Sequence, residues 1–294
     1  MIALPNPFRA ILPTPQVKLG APARRVAANT WFELVPLKNL DAQLPSLPPG
    51  SRVSVTCSPA KGLDATLDLT ERLVGLGLRP TPHIAARLVR DRAHVRAIAA
   101  RCRRLGISEA FVMAGDEQDP IGAYDGAVAF LRHFARAAHG LQRIGVAGYP
   151  DGHLFISREA LHDALHEKQQ ILASAGVGGW VSTQMCFDSG AIRSWLTGER
   201  ASGLNLAVRL GVPGPVDRAK LLTMGLKVGV GQSLRYLSKN RSGLQRLMTT
   251  ASYDPGRLLE SLGPDLAPLG VEGVHLFTFN QLAACVEWHK GLTA

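Results

Sequence analysis

Cysteine is scarce in this chain of 294 residues. The four present, Cys57, Cys102, Cys186 and Cys285, are widely scattered and form no CxxC pair. That spacing offers no disulfide framework, so free thiols are expected. No His/Cys/Glu cluster shows metal-ligand spacing, and no metal site is expected. Aromatic residues make up only 6%, and there is no zinc finger, RRM signature or basic region. Specific nucleic-acid recognition is therefore not expected, despite a formal charge of +10. No apolar run approaches the roughly 18–20 residues of a membrane-spanning helix. Met1-Ile2-Ala3-Leu4-Pro5-Asn6-Pro7 lacks the charged start and apolar core of a signal peptide. A cytoplasmic protein without a membrane partner is the expectation.

What is there describes an ordinary globular chain with ample core: 46% hydrophobic and 19% charged residues. The basic residues are spread through predicted helices, as in Arg90-Asp91-Arg92 and Arg101-Cys102-Arg103-Arg104. A positive field of that kind suits an anionic small ligand, whose phosphates or carboxylates it steers.

Residues 1–29 are rich in Pro, Ala and basic residues without steady periodicity and read as an N-terminal arm over the surface or a barrel end. Strands are predicted at 30–35, 52–57, 80–85, 110–114, 143–148, 182–187, 204–210 and 273–279. Helices are predicted between them, at about 41–47, 65–76, 91–105, 124–138, 157–174, 190–196, 217–262 (with interruptions) and 280–290. Asp91 is placed as a helix N-cap, Ser157 with Ala160 and Leu161 begins a helix, and Gly77 and Gly106 are placed as stops. Strands alternating with helices imply a parallel sheet, and at this length a single (β/α)8 TIM-type barrel over 30–294 is the expected α/β fold. A doubly wound sheet is disfavoured because no GxGxxG follows the first strand.

In such a barrel, function sits where strands end. The predicted ends carry Glu33, Thr56, His83, Asp116, Tyr149 with His153, Gln184 with Asp188, Arg209, and Asn280. A carboxylate inside the apolar run Thr30–Val35 is costly unless hydrogen-bonded, which points Glu33 toward function. Asp116 also reads as a helix cap, and His83 as a satisfied core histidine. His162, His166 and His289 read as solvent-facing helix residues. Cys186 reads as packing, since no adjacent His marks a base. The stretch Val181-Ser182-Thr183-Gln184-Met185-Cys186-Phe187-Asp188 sets a neutral amide at the exit of a buried strand, suited to the donor and acceptor edge of a heterocycle.

Five segments taken in order say more. Phe32-Glu33-Leu34-Val35-Pro36, Pro82-His83-Ile84, Ala114-Gly115-Asp116, Ala147-Gly148-Tyr149-Pro150-Asp151-Gly152-His153 and Thr183-Gln184-Met185-Cys186-Phe187-Asp188 together resemble the methylenetetrahydrofolate reductase family. The resemblance implies a barrel that reduces 5,10-methylenetetrahydrofolate to 5-methyltetrahydrofolate, usually through FAD reduced by NADH or NADPH. By position it implies Glu33 as general acid, with Asp116, Gln184 and Asn280 on the folate. Thr56, His83, Tyr149, His153 and Lys168 would meet the flavin.

The chain departs from the family at Thr56-Cys57-Ser58-Pro59-Ala60, at Ala114 where the family has arginine, at Glu167-Lys168-Gln169-Gln170, and at Gln281 after Asn280. Three of these changes fall where the family binds flavin, so FAD is expected to be weakly held or absent. A folate-dependent one-carbon transferase and a non-catalytic pterin-binding barrel are the rival readings. Homo-oligomeric assembly stays open.

Overall fold

Eight short strands carry the structure: β1 (Thr30–Leu34), β2 (Arg52–Val55), β3 (Arg79–Ala85), β4 (Glu109–Met113), β5 (Arg143–Gly148), β6 (Gly178–Thr183), β7 (Ala207–Pro213) and β8 (Val271–Phe277). Each pairs in parallel with its neighbours in chain order, and β8 closes back onto β1. The computed structural model describes residues 17–58, 60–215 and 254–293. Helices alternate with the strands, as parallel pairing requires of its crossovers. They are α1 (Ala21–Ala28), α2 (Leu40–Gln43), α3 (Gly62–Gly75), α4 (Arg92–Leu105), α5 (Ala127–Phe134), α6 (Arg158–Ser174), α7 (Ser189–Ala201), α8 (Pro255–Leu262) and α9 (Leu282–Thr293). The fold is a TIM barrel, as the alternation predicts. Among the described residues, no helix is long and apolar enough to cross a membrane.

Local chemistry fixes several boundaries where the sequence places them. Asp91 caps α4 by accepting from His94 N at 2.8 Å, and Gly106 ends it at φ 62°. Ser157 caps α6 by accepting from Ala160 N at 3.1 Å. The four cysteines are free thiols.

Other boundaries differ. The described end of the arm is a helix, α1, which buries Ala23, Val26 and Ala27 and packs against α9 and the start of β8. β6 begins at Gly178 and stops at Thr183, so Gln184–Phe187 form the loop beyond it. Its two glycines are placed by contact: a Cβ on Gly179 would fall 2.8 Å from Leu172 Cδ1. β7 is shifted three residues toward the C-terminus, because Leu204 and Asn205 are engaged beforehand. Leu204 N donates to Glu199 O and Asn205 N to Gln169 Oε1. Pro213 ends β7 rather than breaking it, at a strand terminus where a missing N–H is tolerated. Of the long helical stretch predicted from 217, residues 216–253 lie outside the described residues, and α8 is its observed end.

Inside the barrel, alternate residues of each strand face inward. Near the N-terminal end this inward set is ionic. Arg209 is completely buried, bonds Glu109 at 2.7 and 2.8 Å and Glu272 at 2.8 Å, and lies between the rings of Trp31 and Trp180 at 3.5 and 3.9 Å. Arg143 joins from β5, 2.9 Å from Glu272. Gly145 makes room for Trp180, whose ring a Cβ would meet at 2.3 Å. This plug fills the N-terminal end of the barrel interior. Arg209 is thereby a structural residue of the plug, not a group at the strand ends.

Candidate active site at the barrel mouth

Two residues beyond Trp31 on β1, Glu33 also faces inward, one layer closer to the mouth. Its Oε2 lies 2.8 Å from Nε2 of His275 on β8. His83 on β3 joins the same layer, with its ring centroid 5.7 Å from that of His275 and its Nε2 sharing a 2.5 Å hydrogen bond with Ser54 Oγ of β2. Phe111 and Phe277 flank the pair of imidazoles at 4.9 and 5.0 Å. The result is a buried acid from β1 and two imidazoles from β3 and β8, with the Ser54 hydroxyl of β2 on one of them and aromatic rings as walls. Burial pushes the His83 imidazole well below its ordinary value, and the neighbouring His275 adds to this. His83 is therefore neutral at physiological pH.

Glu33 is buried, at 7% exposed. A buried carboxyl needs a partner, and His275 supplies it. Glu33, His83 and His275 also place one ligand atom each within 4.8 Å of one another and could hold a divalent cation.

A second group forms the rim over β4, β5 and β6. Tyr149 follows β5, and both burial and the charge of Asp116 after β4 raise its hydroxyl pKa. His153 packs edge-on against Tyr149 at 5.5 Å. Gln184, just past β6, folds its Oε1 back onto Met185 N at 2.9 Å. Beside it the Cys186 thiol donates to Asp151 Oδ1 at 2.8 Å, while Asp151 Oδ2 is buried without a partner. Burial raises both the Asp151 carboxyl and the Cys186 thiol, which makes Cys186 a packing and donor group rather than a nucleophile.

Other expected site residues are placed elsewhere or are already engaged. Asn280, 1% exposed, clamps the end of β8 to that of β1: its Oδ1 accepts from Val35 N at 2.9 Å and its Nδ2 donates to Val35 O at 2.7 Å. Its amide is fully used, so it is a clamp rather than a substrate ligand. Asp188 caps α7, accepting from Gly190 and Ala191 N at 2.8 and 3.2 Å. His289 is half-buried and bonds Ala27 O at 3.0 Å.

Of the five residues implied for flavin, Lys168 lies apart from the rest. His83 belongs to the inward acid layer. Thr56 Oγ1 is buried without a partner after β2, three strands from Tyr149 and His153. Lys168 lies ten residues into α6, roughly 15 Å below its start, buried in the helix layer. Lys168 is thus separated from the strand ends that carry Thr56, Tyr149 and His153.

Sequence reasoning missed three residues of consequence. Ser54 and His275 look like ordinary interior strand positions, although a polar residue at an inward register position is the signal that could have found them. Glu199 on α7 is buried with the imidazoles of His162 and His166 at 2.8 and 2.9 Å. Those histidines are therefore not merely solvent-facing.

No protein-family model matches the chain. Among solved structures it is similar to a provisionally assigned phosphonomutase from Burkholderia cenocepacia J2315, with 15% identity and a TM-score of 0.47 over 90% of this chain and 96% of that one. It is similar to DHPS of Yersinia pestis, solved with a pterine-sulfa conjugate, with 11% identity and a TM-score of 0.47 over 91% and 94%. A provisionally assigned deoxyribose-phosphate aldolase from Toxoplasma gondii ME49 shows 9% identity and a TM-score of 0.44 over 92% and 96%. The likeness is one of overall fold and goes no further.

Proposed function

We propose that the chain is an oxidoreductase that reduces 5,10-methylenetetrahydrofolate to 5-methyltetrahydrofolate, with NADH or NADPH as the source of hydride. The sequence resemblance supplies the substrate. The observation that carries the reading is the Glu33–His275 hydrogen bond, a proton-bearing pair buried in the barrel interior.

Reduction of the methylene bridge first needs its five-membered ring opened. Glu33 gives a proton to the departing ring nitrogen, the bond between that nitrogen and the methylene carbon breaks, and the other nitrogen becomes an iminium. Hydride from the nicotinamide adds to the iminium carbon and leaves the methyl group. One proton and one hydride are consumed, and the nicotinamide is oxidised. Glu33 recovers its proton through His275. The aromatic walls exclude water, which protects the iminium from hydrolysis. Asp116 and the amide N–H groups of Gln184 meet the pterin edge. No step is routed through flavin.

A second reading, folate-dependent one-carbon transfer without reduction, is favoured by the position of Lys168 in the helix layer, away from the strand ends. It would use the same acid and the same rim. Flavin-stripped protein, with and without added FAD, is given methylenetetrahydrofolate and NADH or NADPH, and nicotinamide oxidation is followed with the folate product. One nicotinamide oxidised per 5-methyltetrahydrofolate formed is expected. Folate binding with no nicotinamide oxidation under either condition would overturn the reductase reading.

A further inference from the structure

The cluster outside the barrel is built from α6 and α7, the two helices that flank β6. His162 and His166 stand four residues apart on α6 and so occupy one face, one turn apart. That face looks at α7 rather than the barrel, which Leu165, Lys168 and Leu172 meet. From α7, Glu199 reaches between them. His162 Nδ1 and His166 Nε2 both point at one oxygen, Glu199 Oε2, from 2.8 and 2.9 Å. The two rings are 4.4 Å apart between centroids. Glu199 is a buried carboxylate, its side chain 7% exposed, and these imidazoles are its side-chain partners.

We propose that His162, His166 and Glu199 form a zinc site that staples α6 to α7. Three ligand atoms of the right chemistry lie within 4.8 Å of one another. Two imidazoles and one carboxylate select zinc or a similar first-row ion over magnesium or calcium, which take oxygen ligands. Tetrahedral bonds of about 2.0–2.1 Å put ligand atoms roughly 3.3 Å apart. The present separations to Oε2 need to open by only about half an ångström to admit the ion.

The seam is fixed on the C-terminal side of the cluster. Gln169, on the next turn of the same face, donates to Gly203 O at 3.0 Å and accepts from Asn205 N at 2.8 Å. Leu204 N donates to Glu199 O, and Arg200 Nη1 bonds Leu204 O at 2.7 Å. The ligands are thus held before any ion arrives. The side chain of His162 is 38% exposed, which gives the ion an entry path and leaves a fourth position for water. β6, which presents Gln184 at the mouth, runs between the two stapled helices, so the ion would stiffen the support of that rim.

The test uses untagged full-length protein, chelator-treated and titrated with zinc alone by calorimetry, and with cobalt followed by its visible ligand-field bands. One ion per chain is expected, with tetrahedral cobalt bands and a zinc-dependent rise in melting temperature. His162→Ala and Glu199→Gln should each weaken binding about a hundredfold and abolish the bands. His162 is partly exposed, so its substitution keeps the fold even where Glu199→Gln does not. His275→Ala, in the barrel cluster, should leave the cobalt spectrum intact. Loss of binding in His275→Ala with retention in His162→Ala, or no ion bound by wild type, would overturn the proposal.

Discussion

Glu33 Oε2 and His275 Nε2 meet at 2.8 Å across the β1–β8 seam, although the two residues lie 242 positions apart. Closure of the barrel creates this contact, because β8 pairs with β1 directly and sets both side chains on the inner face. The first prediction follows from it. Glu33→Gln keeps the shape but cannot donate an acidic proton, and turnover should fall by roughly two to four orders of magnitude. Folate affinity should change far less. Steady-state kinetics with a parallel binding titration checks both, and near-normal turnover would remove Glu33 from the chemistry.

Asp116 and Gln184 are assigned to the pterin edge. Removing either leaves a polar group of the bound ring unpaired, at a cost of about 1–3 kcal/mol in binding. Asp116→Ala and Gln184→Ala should therefore each weaken folate binding by roughly tenfold to a hundredfold. Unchanged affinity in both variants would place the pterin elsewhere.

Asn280 separates a clamp from a ligand. It adopts φ 57° and bonds both backbone groups of Val35. Asn280→Gly keeps the backbone conformation and leaves the part-buried N–H and C=O of Val35 without this partner, costing roughly 1–3 kcal/mol in all. Urea denaturation should show the loss. A folded Asn280→Gly protein with full stability but lost folate affinity would restore Asn280 as a ligand.

The ionic plug yields a stability prediction. Arg209 sits between two tryptophans and bonds two glutamates, so Arg209→Ala leaves both carboxylates without their main cation. Breaking a buried pair this way costs about 3–5 kcal/mol, and the partial exposure of Glu109 and Glu272 puts this case at the lower end. Chemical denaturation checks it. A loss below about 1 kcal/mol would mean that the plug contributes little.

The barrel was legible because alternation of strand and helix is a local pattern. Gly77, Gly106, Asp91 and Ser157 mark their boundaries by chemistry that acts within four residues. β6 was displaced for the opposite reason. Gly178 and Gly179 lack strand propensity and are selected by contact with α6 and its neighbours, which no local pattern records. The acid at Glu33 could be read from a carboxylate in an apolar run, but not its partner, since His275 pairs with it only on closure. The His162–His166 spacing is visible on one helix. What turns it into a cluster is Glu199, 33 residues on from His166 and on a different helix.

Lys168 tests the electrostatics of the helix layer. Burial lowers its ammonium from 10.5 to about 8, with Glu167 partly opposing the shift. An unfolded chain therefore holds this proton more tightly than the folded one. Below pH 8 both states are protonated, and the folded state carries the full desolvation cost, roughly 3 kcal/mol. As pH rises from 8 to about 10.5 the folded state sheds the proton first, and the cost is relieved. Lys168→Met removes the titrating group while keeping most of the volume. The variant should be more stable than wild type at pH 7, and the gap should close as pH rises through that window. Chemical denaturation of both proteins at several pH values measures it. A gap that stays constant from pH 7 to 10 would show that Lys168 keeps an ordinary, hydrated ammonium.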